Sequence, residues 1–180
     1  MGAVQRFADL LQRDPESVAA HTMMGLLLHA QRQLQPAIEH YRKAVELNPK
    51  AAAAAANNLA WLYAEYNKGN MDEAVRLAQG AVQANPGVPS FADTLGWVYY
   101  KKGLYGAATE QLKKAVSVDE QAARQSNASP SPTYRYHLGV ALAAKGDKAG
   151  ARRELETALR LGEKANFAEV NEAKKTLATL

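Results

Sequence analysis

The chain has no cysteine, which excludes disulfides and thiol chemistry and fits cytosol and periplasm equally well. It has no apolar run near the roughly 18 residues that a bilayer-spanning helix needs, so no direct membrane insertion is expected of it. No leader peptide is visible. The four histidines, His21, His29, His40 and His137, are scattered, and none belongs to an HExxH or Cys/His pattern. Gly103 and Gly106 stand as turn glycines, and no glycine-rich loop is shaped to cradle a phosphate. No Ser/His/Asp arrangement has supporting context. No cofactor, metal or catalytic activity is therefore expected. Nucleic acid is not an expected partner either, because no aromatic side chains interleave the basic ones as a single-strand platform requires.

What the sequence does contain is a period. Three stretches, Met24-Gly25-Leu26 through Pro49, Leu59-Ala60-Trp61 through Pro86, and Leu95-Gly96-Trp97 onward, restate one helix-turn-helix unit about every 34 residues. The clearest copy carries Met24-Gly25, Leu28, Ala37, Tyr41, Ala44 and Asn48-Pro49. Gly25, Ala37 and Ala44 are small so that two helices can approach closely, Leu28 and Tyr41 fill the space between them, and Pro49 ends the second helix. The second copy repeats the pattern with Ala60, Tyr63, Ala74, Ala78, Ala81 and Asn85-Pro86, and holds two extra residues in its Asn67–Met71 turn. A longer turn costs little closure entropy. The third copy has Gly96, Tyr99, Ala108, Leu112 and Ala115, with Glu120 in place of the proline stop, so its second helix is expected to continue toward Gln125. A fourth has Gly139, Leu142, Ala151, Leu155 and Ala158.

This pattern resembles the tetratricopeptide repeat, W-x2-L-G-x2-Y followed by A-x3-F and P. The resemblance implies an all-α fold, a right-handed superhelical solenoid of antiparallel helix pairs, with four units exceeding the three or so that a stack needs. The expected organisation is a truncated preceding repeat contributing its second helix at 1–15, repeats at 16–49, 50–86, 87–125 and 133–162, a loop insertion at 126–132, and a C-terminal capping helix at 163–180. The loop, Ser126-Asn127-Ala128-Ser129-Pro130-Ser131-Pro132, is built of turn formers and helix breakers and reads as a surface insertion. At the N-terminus, Ala3, Phe7, Leu10 and Pro15 follow second-helix spacing with no first helix before them. A solenoid rarely begins on half a unit, so Met1-Gly2 is expected to be an artificial start and the chain a piece of a longer array. At the other end, Phe167, Val170, Ala173, Leu177 and Leu180 recur at helical spacing among charged residues, as a natural cap would.

The resemblance also implies that first helices line a concave groove. Counting from the small residue of each unit, groove positions fall on Thr22, Met23, Leu26 and His29, then Asn57, Asn58, Trp61 and Ala64, then Asp93, Thr94, Trp97 and Tyr100, then Tyr136, His137, Val140 and Ala143. The expected partner-binding residues are Asn57, Asn58, Trp61, Asp93, Thr94, Trp97, Tyr100, Tyr136 and His137. Aromatic rings with polar tips suit protein hot spots, and amides hold extended peptide backbones. The alternative is that both tryptophans simply complete the core between first helices. The carboxylate clamp of chaperone-binding repeats is not expected, since only Asn58 matches it and no cation is present at its positions.

Charge is uneven. Residues 1–99 hold 8 Lys and Arg against 9 Asp and Glu, whereas residues 100–180 hold 14 against 9. Lys113, Lys114, Arg152, Arg153 and Arg160 fall on second helices, which reads as a solvated outer face. A narrower resemblance, carried by Asn57-Asn58-Leu59-Ala60-Trp61, Asp93-Thr94-Leu95-Gly96-Trp97, Tyr134-Arg135-Tyr136-His137-Leu138-Gly139 and Ala151-Arg152-Arg153-Glu154-Leu155, is to the C-terminal repeats of bacterial lipoproteins associated with exopolysaccharide export and exosortase-type sorting. It implies periplasm or cell envelope in preference to cytoplasm. The expected function is a non-enzymatic scaffold that binds a peptide segment or partner helix in the groove. Self-assembly into homo-oligomers, through the groove or the exposed terminal helix, is the alternative.

Overall fold

The computed structural model describes residues 2–165 and 167–180. Met1, expected as an artificial start, and Asn166, within the expected capping segment, lie outside them. Among the described residues there are ten α-helices and no strand, and the chain divides into two compact units, Met1–Asn85 and Pro86–Leu180.

The first unit contains α1 (Ala3–Arg13), α2 (Val18–Ala30), α3 (Leu34–Leu47), α4 (Ala53–Tyr66) and α5 (Met71–Ala84). α2 packs on α3 and α4 on α5, with α1 against α2 and α3 against α4. Helix starts are set by local chemistry. Ser17 accepts from the Ala20 amide at 3.4 Å, and Asn70 accepts from Asp72 and Glu73 amides at 2.7 and 3.2 Å, with both acids favourably placed in the first turn of α5. The close approach of α2 and α3 rests on Gly25: a Cβ there would lie 2.5 Å from the Tyr41 ring, which is fully buried. The Arg42 Nε donates to the Tyr63 hydroxyl at 2.6 Å and joins α3 to α4. No residue of α1 is buried.

The second unit contains α6 (Pro89–Lys101), α7 (Tyr105–Ser126), α8 (Pro132–Lys145), α9 (Lys148–Gly162) and α10 (Val170–Ala178). α6 pairs with α7 and α8 with α9, while α7 packs on α8 and α10 on α8 and α9. Proline opens both α6 and α8, where its missing amide costs nothing. With no proline at 120, α7 runs on to Ser126 and ends at Asn127 in the left-handed region. The connection to α8 is held by Asp119, whose carboxylate accepts from the Ser131 amide at 2.7 Å. Gly96 and Gly139 repeat the role of Gly25, against Leu112 and Leu155. Within 163–180 the helix is α10, and Phe167 and Ala173 pack beside Tyr136, Leu155 and Ala158.

Each first helix is followed by one residue at positive φ: Arg32 (61°), Asn67 (51°), Gly103 (79°) and Gly146 (93°). Glycine and asparagine are the ordinary occupants of that geometry, and Arg32 is the departure.

Candidate functional site

In the second unit the helical period puts Asp93, Trp97 and Tyr100 on one face of α6, and Tyr136 and His137 lie in the second turn of α8. The structure joins them. The His137 Nδ1–H donates to both Asp93 carboxylate oxygens, at 2.9 and 3.0 Å, and the two residues are 3% and 5% exposed. The Trp97 ring stacks on His137 at 4.2 Å between centroids and on Tyr100 at 4.8 Å. Lys101 Nζ lies 5.2 Å from the Trp97 ring, a cation–π distance. Tyr100 continues to Tyr105 at 5.8 Å, and Tyr136 meets the edge of Phe167 at 6.1 Å.

Burial divides these residues. Trp97 is 7% exposed, and Thr94 and Tyr136 are also buried, whereas Tyr100 is half-exposed. The α8 histidine covers the α6 tryptophan, so the indole supports the surface more than it forms it. Burial, then the Asp93 and Asp119 charges, pushes the Tyr134 phenol up to about 12. Burial, with Tyr105 second, also raises the Tyr100 phenol.

In the first unit, Asn57 is buried and donates from Nδ2 to the Asn58 Oδ1 at 3.4 Å, and the Asn58 Nδ2 donates to the Tyr41 hydroxyl at 3.4 Å. Burial pushes that phenol up to about 12. The Asn57 Oδ1 is buried without a hydrogen-bond partner, which costs free energy unless a donor reaches it. Asn58 and Trp61 are half-exposed. Of the nine expected residues, then, Asp93, Trp97, Tyr100, Tyr136 and His137 form one cluster in the second unit with Thr94 buried on α6, while Asn57 and Asn58 form a chain with Tyr41 in the first, where Trp61 stands half-exposed on α4.

Two constellations were not anticipated from sequence. Arg135 on α8 is paired with both Glu120 of α7 and Glu154 of α9; the opposite charges could be counted in the sequence, but their convergence needs the packing of three helices. His21 and His40 place their Nδ1 atoms 2.9 Å apart, with His21 Nε2 3.0 Å from the Pro15 carbonyl. That carbonyl only accepts, so His21 carries its proton on Nε2 and the His40 Nδ1–H donates to His21. The pair keeps its bond with one added proton on His40, and loses it with two. Among the described residues no three metal-capable side chains converge.

Desolvation, with His21 second and against an opposing push from Glu39, lowers His40 below its ordinary 6.5, and desolvation with Arg32 second lowers His29. At these two histidines protons therefore bind the unfolded chain more readily, so their contribution to the stability of the first unit is fully present above 6.5 and is lost as pH drops below it. Urea midpoints followed through Trp61 fluorescence in a Trp97→Phe background are expected to decline from pH 7.5 to about pH 5, with a shallower decline in His40→Asn. Equal slopes would remove the histidine pair as a cause.

The tetratricopeptide-repeat family model matches residues 18–51, and a second model of the same family matches residues 94–166, together more than half of the chain. No curated protein matches the sequence significantly. Among solved structures, TTC0263, a thermophilic repeat protein of Thermus thermophilus, is 18% identical, with 98% of this chain and 89% of that chain covered and a TM-score of 0.73. MamA from Desulfovibrio magneticus RS-1 is 18% identical over 90% of this chain and 85% of that one, with a TM-score of 0.72. YrrB, described as a repeat protein with an unusual peptide-binding site, is 21% identical over 98% and 82%, with a TM-score of 0.69. At these identities the likeness is one of fold. With the family models on both units and the small-against-large helix contacts at Gly25, Gly96 and Gly139, the chain belongs to the tetratricopeptide-repeat family, whose helix pairs serve as protein–protein interaction scaffolds.

Proposed function

We propose that the chain binds a peptide segment or partner helix along the faces of its first helices, and that it is a non-enzymatic component of a larger bacterial assembly. The observation that carries this reading is the stacked ladder Tyr100–Trp97–His137, anchored by the buried Asp93 bond. Ordering a ring before a partner arrives lowers the entropy cost of binding. Tyr100 is the half-exposed end of the ladder, and Asn58 and Trp61 are the corresponding half-exposed groups of the first unit. The peptide-binding site of YrrB supports the same reading. The envelope setting rests on the likeness to repeats of exopolysaccharide-associated lipoproteins.

A second reading, self-assembly, is favoured by α1. Phe7 and Leu10 line a depression of about 410 Å³ on a helix that buries none of its residues. One experiment separates the readings. A photo-crosslinking amino acid is placed at Trp61, Tyr100, Leu10 or, as an outer control, Glu110, followed by mass spectrometry of the products in bacteria. A partner captured at 61 and 100 but not at 110 is expected, and its identity decides the envelope setting. Capture of a second copy through position 10 would favour self-assembly, and capture only at 110 would sink the groove.

A further inference from the structure

The turn between α2 and α3 carries a feature that the groove does not use. Arg32 sits at φ 61°, where the equivalent turns of the other units have Asn67, Gly103 and Gly146. A side chain at that position is strained, and strain that a glycine or asparagine would relieve persists where the side chain has work to do. Arg32 flanks a depression of about 400 Å³ lined with Leu26, His29, Ala30, Leu34 and Tyr66. Leu26 and Tyr66 are each 38% exposed, a combination of large apolar groups and water that a bound side chain would relieve. The titratable groups at its wall other than the Tyr66 phenol are a guanidinium and an imidazole, and among the described residues no carboxylate bonds to either. The absence of an internal counter-charge fits the lowering of His29 by burial and Arg32 with no acidic group opposing it.

We propose that this depression binds an acidic peptide segment, an apolar side chain seated on Leu26, Leu34 and Tyr66 with a neighbouring aspartate or glutamate side chain paired to the Arg32 guanidinium. The charge complementarity selects the occupant: a basic segment would meet Arg32 and His29, and an uncharged one would leave the strained arginine without a purpose. The depression takes Leu26 and His29 from the first-helix face of α2 and adds Arg32, Leu34 and Tyr66 to them, so the proposal rests on the first-helix reading at this one place, and its failure by titration would leave capture at positions 61 and 100 standing.

The test is isothermal titration of the full chain with an N-acetylated, C-terminally amidated decapeptide of alternating glutamate and leucine pairs. Three comparison peptides carry lysine for glutamate, serine for leucine, or glutamine for glutamate with a free terminal carboxylate. The acidic apolar peptide is expected to bind at least about tenfold more tightly than any of the three, the affinity of one charged pair plus one apolar anchor. Arg32→Asn is expected to lose most of that affinity while raising the melting temperature by about 2–4 °C, since asparagine tolerates the left-handed turn. Tyr66→Ser provides a second variant that loses affinity without touching the turn, and on binding the wild-type His29 ring is expected to titrate at higher pH. Equal binding by the lysine peptide, preference for the free terminal carboxylate, full affinity in Arg32→Asn, or no binding at all would each overturn the proposal. So would light scattering that shows a dimer of wild-type chain broken by Arg32→Asn, which would give the depression to a second copy.

Discussion

Gly96→Val is expected to destabilise the second unit by about 3 kcal/mol or more, at the upper end of overpacking effects. A Cβ at Gly96 would lie 2.5 Å from the Leu112 Cγ and 3.2 Å from the Ala108 carbonyl oxygen. The leucine can move and the backbone cannot, so α6 and α7 must separate, and with them the small contacts at Ala108 and Ala115, both fully buried. Urea unfolding followed through Trp97 fluorescence in a Trp61→Phe background measures the loss. The partner variant is informative: Leu112→Ala alone should cost about 2–5 kcal/mol by leaving a cavity. In Gly96→Val/Leu112→Ala the valine fills part of that cavity, so the double variant should be more stable than the two losses added together. Strict additivity, or a Gly96→Val loss below about 0.5 kcal/mol, would show that the helix pair does not depend on this contact.

That contact was legible in the sequence. Gly25 and Tyr41, Gly96 and Leu112, and Gly139 and Leu155 are each sixteen positions apart, and in each the structure sets the small residue under the large one. The second copy has Ala60 and, two inserted residues later in register, Ala78, and both are fully buried. Helix pairing could be read because both partners belong to one repeat. The exposure of the first-helix side chains was less legible because it depends on the next repeat. Whether Trp97 is open or covered turns on what α8 presents at position 137, and a histidine held by Asp93 covers it. The His21–His40 and Arg135–Glu154 contacts lie within one repeat and escaped because they join positions that the repeat pattern leaves variable, while the Arg135–Glu120 pair reaches back to the preceding repeat. The oddity of Arg32 could have been found by aligning the four turns, as its counterparts are Asn67, Gly103 and Gly146.

Asp93→Ala is expected to cost about 3–5 kcal/mol, as removal of one member of a buried hydrogen-bonded pair does. The loss arises less from the missing bond than from what remains: the His137 Nδ1–H, in a residue 3% exposed, loses both carboxylate oxygens it donates to. Asp93→Asn keeps an oxygen in place and should cost clearly less. Replacing both partners, Asp93→Leu with His137→Phe, removes donor and acceptor together and should recover much of the stability. The chemical signature is separate from stability. Asp93 is one of the charges that raises the Tyr134 phenol to about 12, so Asp93→Asn should lower that value, read by tyrosinate absorbance against a Tyr134→Phe reference. If Asp93→Ala and Asp93→Asn unfold at the same urea concentration, the buried bond is not what fixes His137. If they differ as expected, partner affinity should follow the same order. Tyr100 touches Trp97, Trp97 touches His137, and the bond being altered is what ties that stack to Asp93.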